Sequence, residues 1–449
     1  MPTAAAWPVL TALDLRAPLP RPEVGPNPAA RALDDAAAAL VGEVRDQVLR
    51  QVAHWTEAVE QLSEREALAP LAAWAQLERY LGMALRGMLD DAVARLRAQA
   101  LAVRAELAAA RTPAEVEGAR RQLVRFRRRY LQTETLVTFY THAVTCRSTE
   151  SMARLLTTCD LLASAAIRVA FEPLGLPVPP VLSYVDSGLG ASILRHGLRL
   201  HDGATVSRVA SIKIALHNLP TPTAVLHEAG HQVGFSTNAN GEVAAALQAL
   251  DPLVGPSWST WASEILADAI AVAAAGFGPV AMLHDVVAGE VAQVYTTVPG
   301  DPHPPALLRV SANVAFCRAL FGPGPWDGLD QAWRVTHPVT AAPAVERAVL
   351  AQSVALLPEI ARTVLQTPYT AFGGRSLAQL YQADRVRPHS LAELERTAGP
   401  ALWTSSVYLS NELLRLLALD TYRIATQPDR VRPLLAHVRE WMLRAGQPL

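Results

Sequence analysis

Leu226-His227-Glu228-Ala229-Gly230-His231 is the stretch from which the rest of this chain is best read. On a helix, residues four apart share a face. His227 and His231 therefore offer two imidazole nitrogens to one metal ion, while Glu228, one step round, reaches the water beside it. A catalytic zinc takes three protein ligands and keeps one position open, so a third donor must come from elsewhere. The three-histidine pattern HExxHxxGxxH is only partly present: Gly234 is in place, but Thr237 stands at the ligand position. A glutamate from a later helix is the other solution. Ser263-Glu264-Ile265-Leu266-Ala267-Asp268 supplies Glu264 as ligand, and Asp268, one turn on, can accept the second ring N–H of a zinc-bound histidine. Glu242 is the rival third ligand, but it has no acidic partner one turn on.

HExxH followed by ExxxD resembles the gluzincin metallopeptidases, whose fold places an edge strand, an active-site helix and a ligand helix in that order. Downstream lies His303-Pro304-Pro305-Ala306-Leu307-Leu308-Arg309, and the order HEAGH, EILAD, HPPALLR is similar to the CAAX prenyl protease group of gluzincins. The resemblance spans about residues 180 to 320. It implies one Zn2+ held by His227, His231 and Glu264, with Glu228 as general base and His303 and Arg309 near the site. The chain departs from that typically membrane-embedded group in showing no membrane span. A segment rich in Pro, Gly and Trp, Asp251 to Trp261, also reads as a loop that the resemblance does not explain.

The residue types carry a mechanism. A zinc so held lowers the pKa of water towards about 7, and Glu228 takes the proton as the hydroxide attacks a polarised carbonyl. The oxyanion then needs a donor. His303 leads, Tyr295 is second, and the bland alternative is that the His-Pro dipeptide only ends a loop. Arg309 reads as a partner for a carboxylate such as Asp301 or Asp268.

Upstream of the HExxH helix the pattern is β. Leu198 to Leu200 and Thr205 to Val209 flank Asp202-Gly203, a hairpin turn signal. In residues 210–216, Ile212, Ile214 and Leu216 alternate with Ser211, Lys213 and Ala215, which marks a half-buried strand. The resemblance makes it an edge strand that binds extended peptide. Lys213, the only lysine in the chain, suits an edge, where a charge deters aggregation. Thr221 or Thr223 is placed to cap a helix running to about Gly234.

The expected fold class is α+β and predominantly α: a zincin-like core with a small sheet and active-site helix, flanked by helical domains. Residues 1–27 form a Pro-rich segment without the basic start and apolar core of a signal peptide. Residues 28–174 carry helical periodicity, broken at Arg111-Thr112-Pro113, where Thr112 reads as an N-cap and Pro113 as the first helical residue. Residues 175–335 hold the zincin-like metallopeptidase domain, and 336–449 a second helical domain. Three cysteines without CxxC spacing indicate neither a disulfide framework nor a thiolate metal site. A hydrophobic content of 51% is ample for a core, and the most apolar window, Ile265 to Leu283, contains Asp268 and reads as a buried ligand helix.

A net charge of −1 gives no general pull towards nucleic acid or anionic membrane. The run Arg120, Arg121, Arg125, Arg127, Arg128 and Arg129, interleaved with Phe126 and Tyr130, is a basic stretch of a kind that contacts phosphate or an acidic protein, but reads more readily as a solvated helix face paired with Glu115 and Glu117 or with neighbouring helices. The expectation is a cytoplasmic zinc metallopeptidase acting on a peptide or narrow protein substrate, with no nucleic acid and a regulatory protein as a possible further partner. The competing reading is an inactive or partner-gated zinc scaffold, which would have no need of Glu228.

Overall fold

The computed structural model describes residues 37–198, 206–298 and 300–447, and these form two compact units. The Pro-rich segment and most of the expected hairpin around Asp202-Gly203 lie outside the described residues. Among the described residues the fold is α+β and 76% helical, with one three-stranded sheet.

Among the described residues the first unit runs from 37 to Ser148 and takes in Val206. Its helices α1 (Ala37–Ser63), α2 (Leu85–Ala109) and α3 (Pro113–Cys146) pack on one another, burying Val52, Val59, Leu89, Leu96, Leu123 and Phe126 between them. The start of α3 follows from its first four residues. Thr112 is the N-cap, its hydroxyl accepts from the Glu115 amide, the Glu115 carboxylate accepts from the Thr112 amide, and Pro113 needs no donor partner.

The second unit takes in Thr149–Leu198 and Ser207 onward. Here the boundary expected at 174 gives way. Helix α4 (Glu150–Phe171) packs against the HExxH helix and the sheet, and its buried Asp160 accepts a hydrogen bond from the Ser183 amide. The separate C-terminal domain gives way too. Trp258 Nε1 donates to Ser353 Oγ (3.0 Å), Tyr381 to the Ala166 carbonyl (2.9 Å) and Thr158 to the Met442 carbonyl (2.6 Å), so residues beyond 336 share one core with the site. Helical periodicity states that a face is buried but not against which partner, and that is why the sequence suggests more divisions than the fold has.

The sheet comprises β1 (Val181–Val185), β2 (Ser192–Leu194) and β3 (Ala210–Ile214) in the order β1-β3-β2. β3 pairs parallel with β1, Val181 opposite Ala210, and antiparallel with β2, Ser192 opposite Lys213. The strand expected at the edge is therefore the central one. Alternation along a strand reports its two faces and is silent about its lateral neighbours. Lys213 donates from Nζ to the Ser187 carbonyl at 3.2 Å, tying down the β1–β2 loop. Leu216 leaves the strand pattern altogether, sitting 63% exposed in a 3-10 turn.

Helix α5 (Ala224–Thr237) carries the HExxH residues and ends at Asn238, whose positive φ of 61° reverses the chain. Thr223 occupies the N-cap position without a side-chain bond. Helix α6 (Ala239–Gln248) and a short helix Gly255–Thr260, where a loop was expected, lead to the ligand helix α7 (Ala262–Ala275). Apart from Ser263, every residue of α7 is buried, which explains its apolar composition. Beyond it run α8 (Gly278–Val287), α9 (Ala306–Phe321), α10 (Ala344–Gln366), α11 (Leu413–Thr426) and α12 (Val431–Ala445). Among the described residues one helix, α10, is long and apolar enough to cross a membrane. It carries Glu346, Arg347, Glu359 and Arg362 and packs on α9.

Candidate metal centre

Two helices meet closely because one of them has no side chain at the crossing. A Cβ at Gly230 would stand 2.8 Å from Ala267 Cα and 3.0 Å from its carbonyl oxygen, so only glycine lets α5 approach α7 this nearly. His227 and His231, three residues before and one after Gly230, are thereby carried to Glu264 and Asp268, three residues before and one after Ala267.

The result is a convergent cluster. His227 Nε2 is 3.3 Å from Glu264 Oε2, and His231 Nε2 is 3.2 Å from Glu264 Oε1. One donor atom from each residue lies within 4.8 Å of the others. Ligands about 2.0–2.1 Å from a tetrahedral zinc stand about 3.3–3.4 Å apart, so these separations suit a common ion. Glu242, the rival, is elsewhere: its carboxylate accepts from the Thr370 and Ala371 amides at 2.8 and 3.0 Å.

Around the cluster each candidate ligand is held by a neighbour. His227 turns Nδ1 to Asp268 Oδ1 at 2.7 Å, leaving Nε2 for Glu264 and the metal position. Asp268 in turn accepts from Arg309 Nε (2.8 Å) and Nη2 (2.9 Å) and from Asn313 Nδ2 (3.0 Å). Arg309 thus takes Asp268 rather than Asp301, adding a 3.5 Å contact to Glu264. His231 Nδ1 lies 3.3 Å from Ser263 Oγ. His303 places Nε2 3.1 Å from Glu264 Oε2 and Nδ1 2.6 Å from Asp301, and remains 40% exposed where the other members are nearly enclosed.

Charge is concentrated here. Glu228, Glu264 and Asp268 are buried carboxylates and Arg309 is the single buried guanidinium beside them. Burial pushes the Glu228 carboxyl up, against the lowering pull of the His227 and His231 charges. Burial opposes charge on Glu264 as well, yet the His231 charge and hydrogen bonds from three imidazoles hold it well below the ordinary range. Burial would lower His227, but Asp268 and Glu264 overcome it and lift the imidazole to about 10. His303 is raised too: burial disfavours its charge and the Glu264 carboxylate outweighs that. Three carboxylates against one guanidinium leave an excess of negative charge, which protonated imidazoles or a divalent cation neutralise.

Tyr295 is not assembled with this group. Its ring is buried beside His337 and its hydroxyl donates to the Pro338 carbonyl at 3.0 Å, so the proton it would offer an oxyanion is committed. Three residues join the site without having been singled out for it. Asp301 enters the sequence reading only as a partner for Arg309, although its place two before His303 is a usable signal. Asn313 stands one helical turn after Arg309, the spacing that puts both on one face. Ser263 gave no signal beyond adjacency to Glu264. No family model, curated protein or solved structure matches this chain.

Proposed function

We propose that this chain is a zinc-dependent peptidase of gluzincin type, acting in the cytoplasm on peptide bonds of a narrow protein substrate. The observation that carries the reading is the convergence of His227 Nε2, His231 Nε2 and Glu264 beside the buried carboxylate of Glu228. Zinc bound there would polarise the scissile carbonyl and acidify the attacking water.

The protein's own groups supply the remainder. Glu228, raised by burial, accepts the proton of the attacking water and returns it to the departing amine. His303 in its doubly protonated form, favoured by the Glu264 carboxylate, gives its Nδ1–H to Asp301 and donates from Nε2 to the oxyanion. Asp268 stands 2.7 Å from His227 Nδ1, pairs with that nitrogen's charge and leaves Nε2 free as a ligand. Arg309 compensates the buried carboxylates of Glu264 and Asp268.

The test is reversible removal of the metal. Purified protein should hold one equivalent of zinc and cleave a peptide library, fall silent after chelation, and recover on return of one equivalent. Cleavage that survives complete removal of zinc contradicts the proposal. A second reading, a zinc scaffold gated by a protein partner, is favoured by the enclosure of the cluster: the side chains of His227, His231 and Glu264 are 16%, 12% and 7% exposed. Zinc retention without cleavage until a partner is added would select it.

A further inference from the structure

The arginine run on α3 has a different character in three dimensions from the paired face expected of it. Glu115 is consumed by the capping box, accepting from the Arg111 and Thr112 amides at 2.6 and 2.9 Å. Glu117 is taken by Arg120 at 2.6 Å, with Arg121 more distant at 3.9 Å. Among the described residues no carboxylate pairs with Arg125, Arg127, Arg128 or Arg129, and all four are exposed. Phe126 and Tyr130 point the other way, buried with Leu123 in the bundle.

At about 100° per residue, Arg121, Arg125, Arg128 and Arg129 fall on one side of α3, together with Gln122 and Gln132. That side is centred roughly 135° round the helix from the buried Leu123, Phe126 and Tyr130, and Gln132 at its far end is half-buried. Val124 and Leu131, 38% and 48% exposed, lie at its margin, and Glu106 borders it where Gln122 Nε2 donates to its carboxylate at 3.1 Å. From Arg121 to Arg129 the row is about 12 Å long.

We propose that this face binds the phosphate backbone of duplex DNA. Four guanidiniums along about 12 Å, three of them without a carboxylate partner and Arg121 3.9 Å from Glu117, match the three to four phosphates that one strand presents over that axial distance. Guanidinium forks and amide side chains are the groups that contact phosphate without reading sequence. The alternatives fit less well. A protein interface places apolar or aromatic anchors at its centre, and here the centre is entirely polar. Single-stranded nucleic acid is held by stacking on aromatic rings, but both rings of the run are buried. Readers of duplex RNA span about 16 base pairs and two minor grooves, far longer than this row. The surface is independent of the metal centre and lies in the first compact unit.

The experiment is fluorescence anisotropy of a labelled 20-base-pair mixed-sequence DNA duplex titrated with the full chain from 50 to 200 mM salt. Wild type should bind with a log–log salt slope of about −3.6, the release of counterions from four phosphates. R125Q/R128Q/R129Q should retain the helical circular dichroism of wild type, reduce the slope to about −0.9 and weaken binding at 50 mM by about tenfold or more. R362Q/R432Q/R439Q, which removes the same charge from exposed positions of the second unit, should leave slope and affinity unchanged. No binding by wild type, equal losses in both triple variants, or tighter binding of duplex RNA or of polyglutamate than of DNA would each overturn the proposal.

Discussion

His227 Nδ1 lies 2.7 Å from Asp268 Oδ1, and Asp268 is one helical turn beyond Glu264, the residue that faces the other nitrogen of the same ring. A single helix thus offers a candidate third ligand and sets a carboxylate against the other ring nitrogen of the first. Because Asp268 also receives two bonds from Arg309 and one from Asn313, its position is determined from three directions.

This arrangement makes Asp268→Ala informative. It should weaken zinc binding by about 10- to 100-fold, measured by competition with a chromophoric chelator, because His227 loses the group that orients it. Unchanged affinity would show that α5 alone holds the ring.

Glu264 and Glu242 separate in the same assay. Glu264→Ala should lose most bound zinc, while Glu242→Ala should keep a full equivalent and lose only the contact to the Thr370 and Ala371 amides. The reverse outcome would transfer the ligand role to Glu242.

The metal candidates were legible in the sequence because helical spacing is local: i and i+4 fix His227 with His231, and Glu264 with Asp268, before any tertiary contact is known. Arg309 was legible as a carboxylate's partner, but choosing between Asp268 and Asp301 required the distance between α9 and α7. Tyr295 illustrates the limit. Its position in the chain near His303 says nothing of where its hydroxyl points, and that is settled by Pro338, far along the sequence. The central placement of β3 was illegible for a related reason, since its β1 partner is set by a parallel pairing across an intervening segment.

Gly230→Val tests the helix crossing. The added side chain meets the Ala267 backbone, so the variant should lose about 1–3 kcal/mol or more in urea denaturation and bind zinc less tightly. Wild-type stability with unaltered zinc affinity would mean that α5 and α7 need not be in close contact.

Away from the site, Asp420 of α11 is fully buried, accepts from Trp441 Nε1 at 2.9 Å and has His437 Nε2 at 3.8 Å. Burial pushes its carboxyl up to about 7, against the lowering effects of the Trp441 bond and the Arg423 charge. Unfolded, it titrates near 3.9, so between about pH 4 and 7 the folded state binds more protons and stability falls as pH rises. Asp420→Asn keeps an acceptor for Trp441 and cannot ionise. Zinc-free wild type should lose more stability than this variant between pH 5 and pH 8, read from urea midpoints. Parallel losses would remove Asp420 as the cause.

The central claim is peptide-bond hydrolysis with Glu228 as the base. Zinc-loaded wild type and Glu228→Gln, which leaves all three candidate ligands in place, should be incubated with the same diverse peptide and protein library and the products read by mass spectrometry. The account predicts new termini with wild type and none above background with the variant, both proteins carrying one zinc. Equal cleavage by the two zinc-loaded proteins would contradict it.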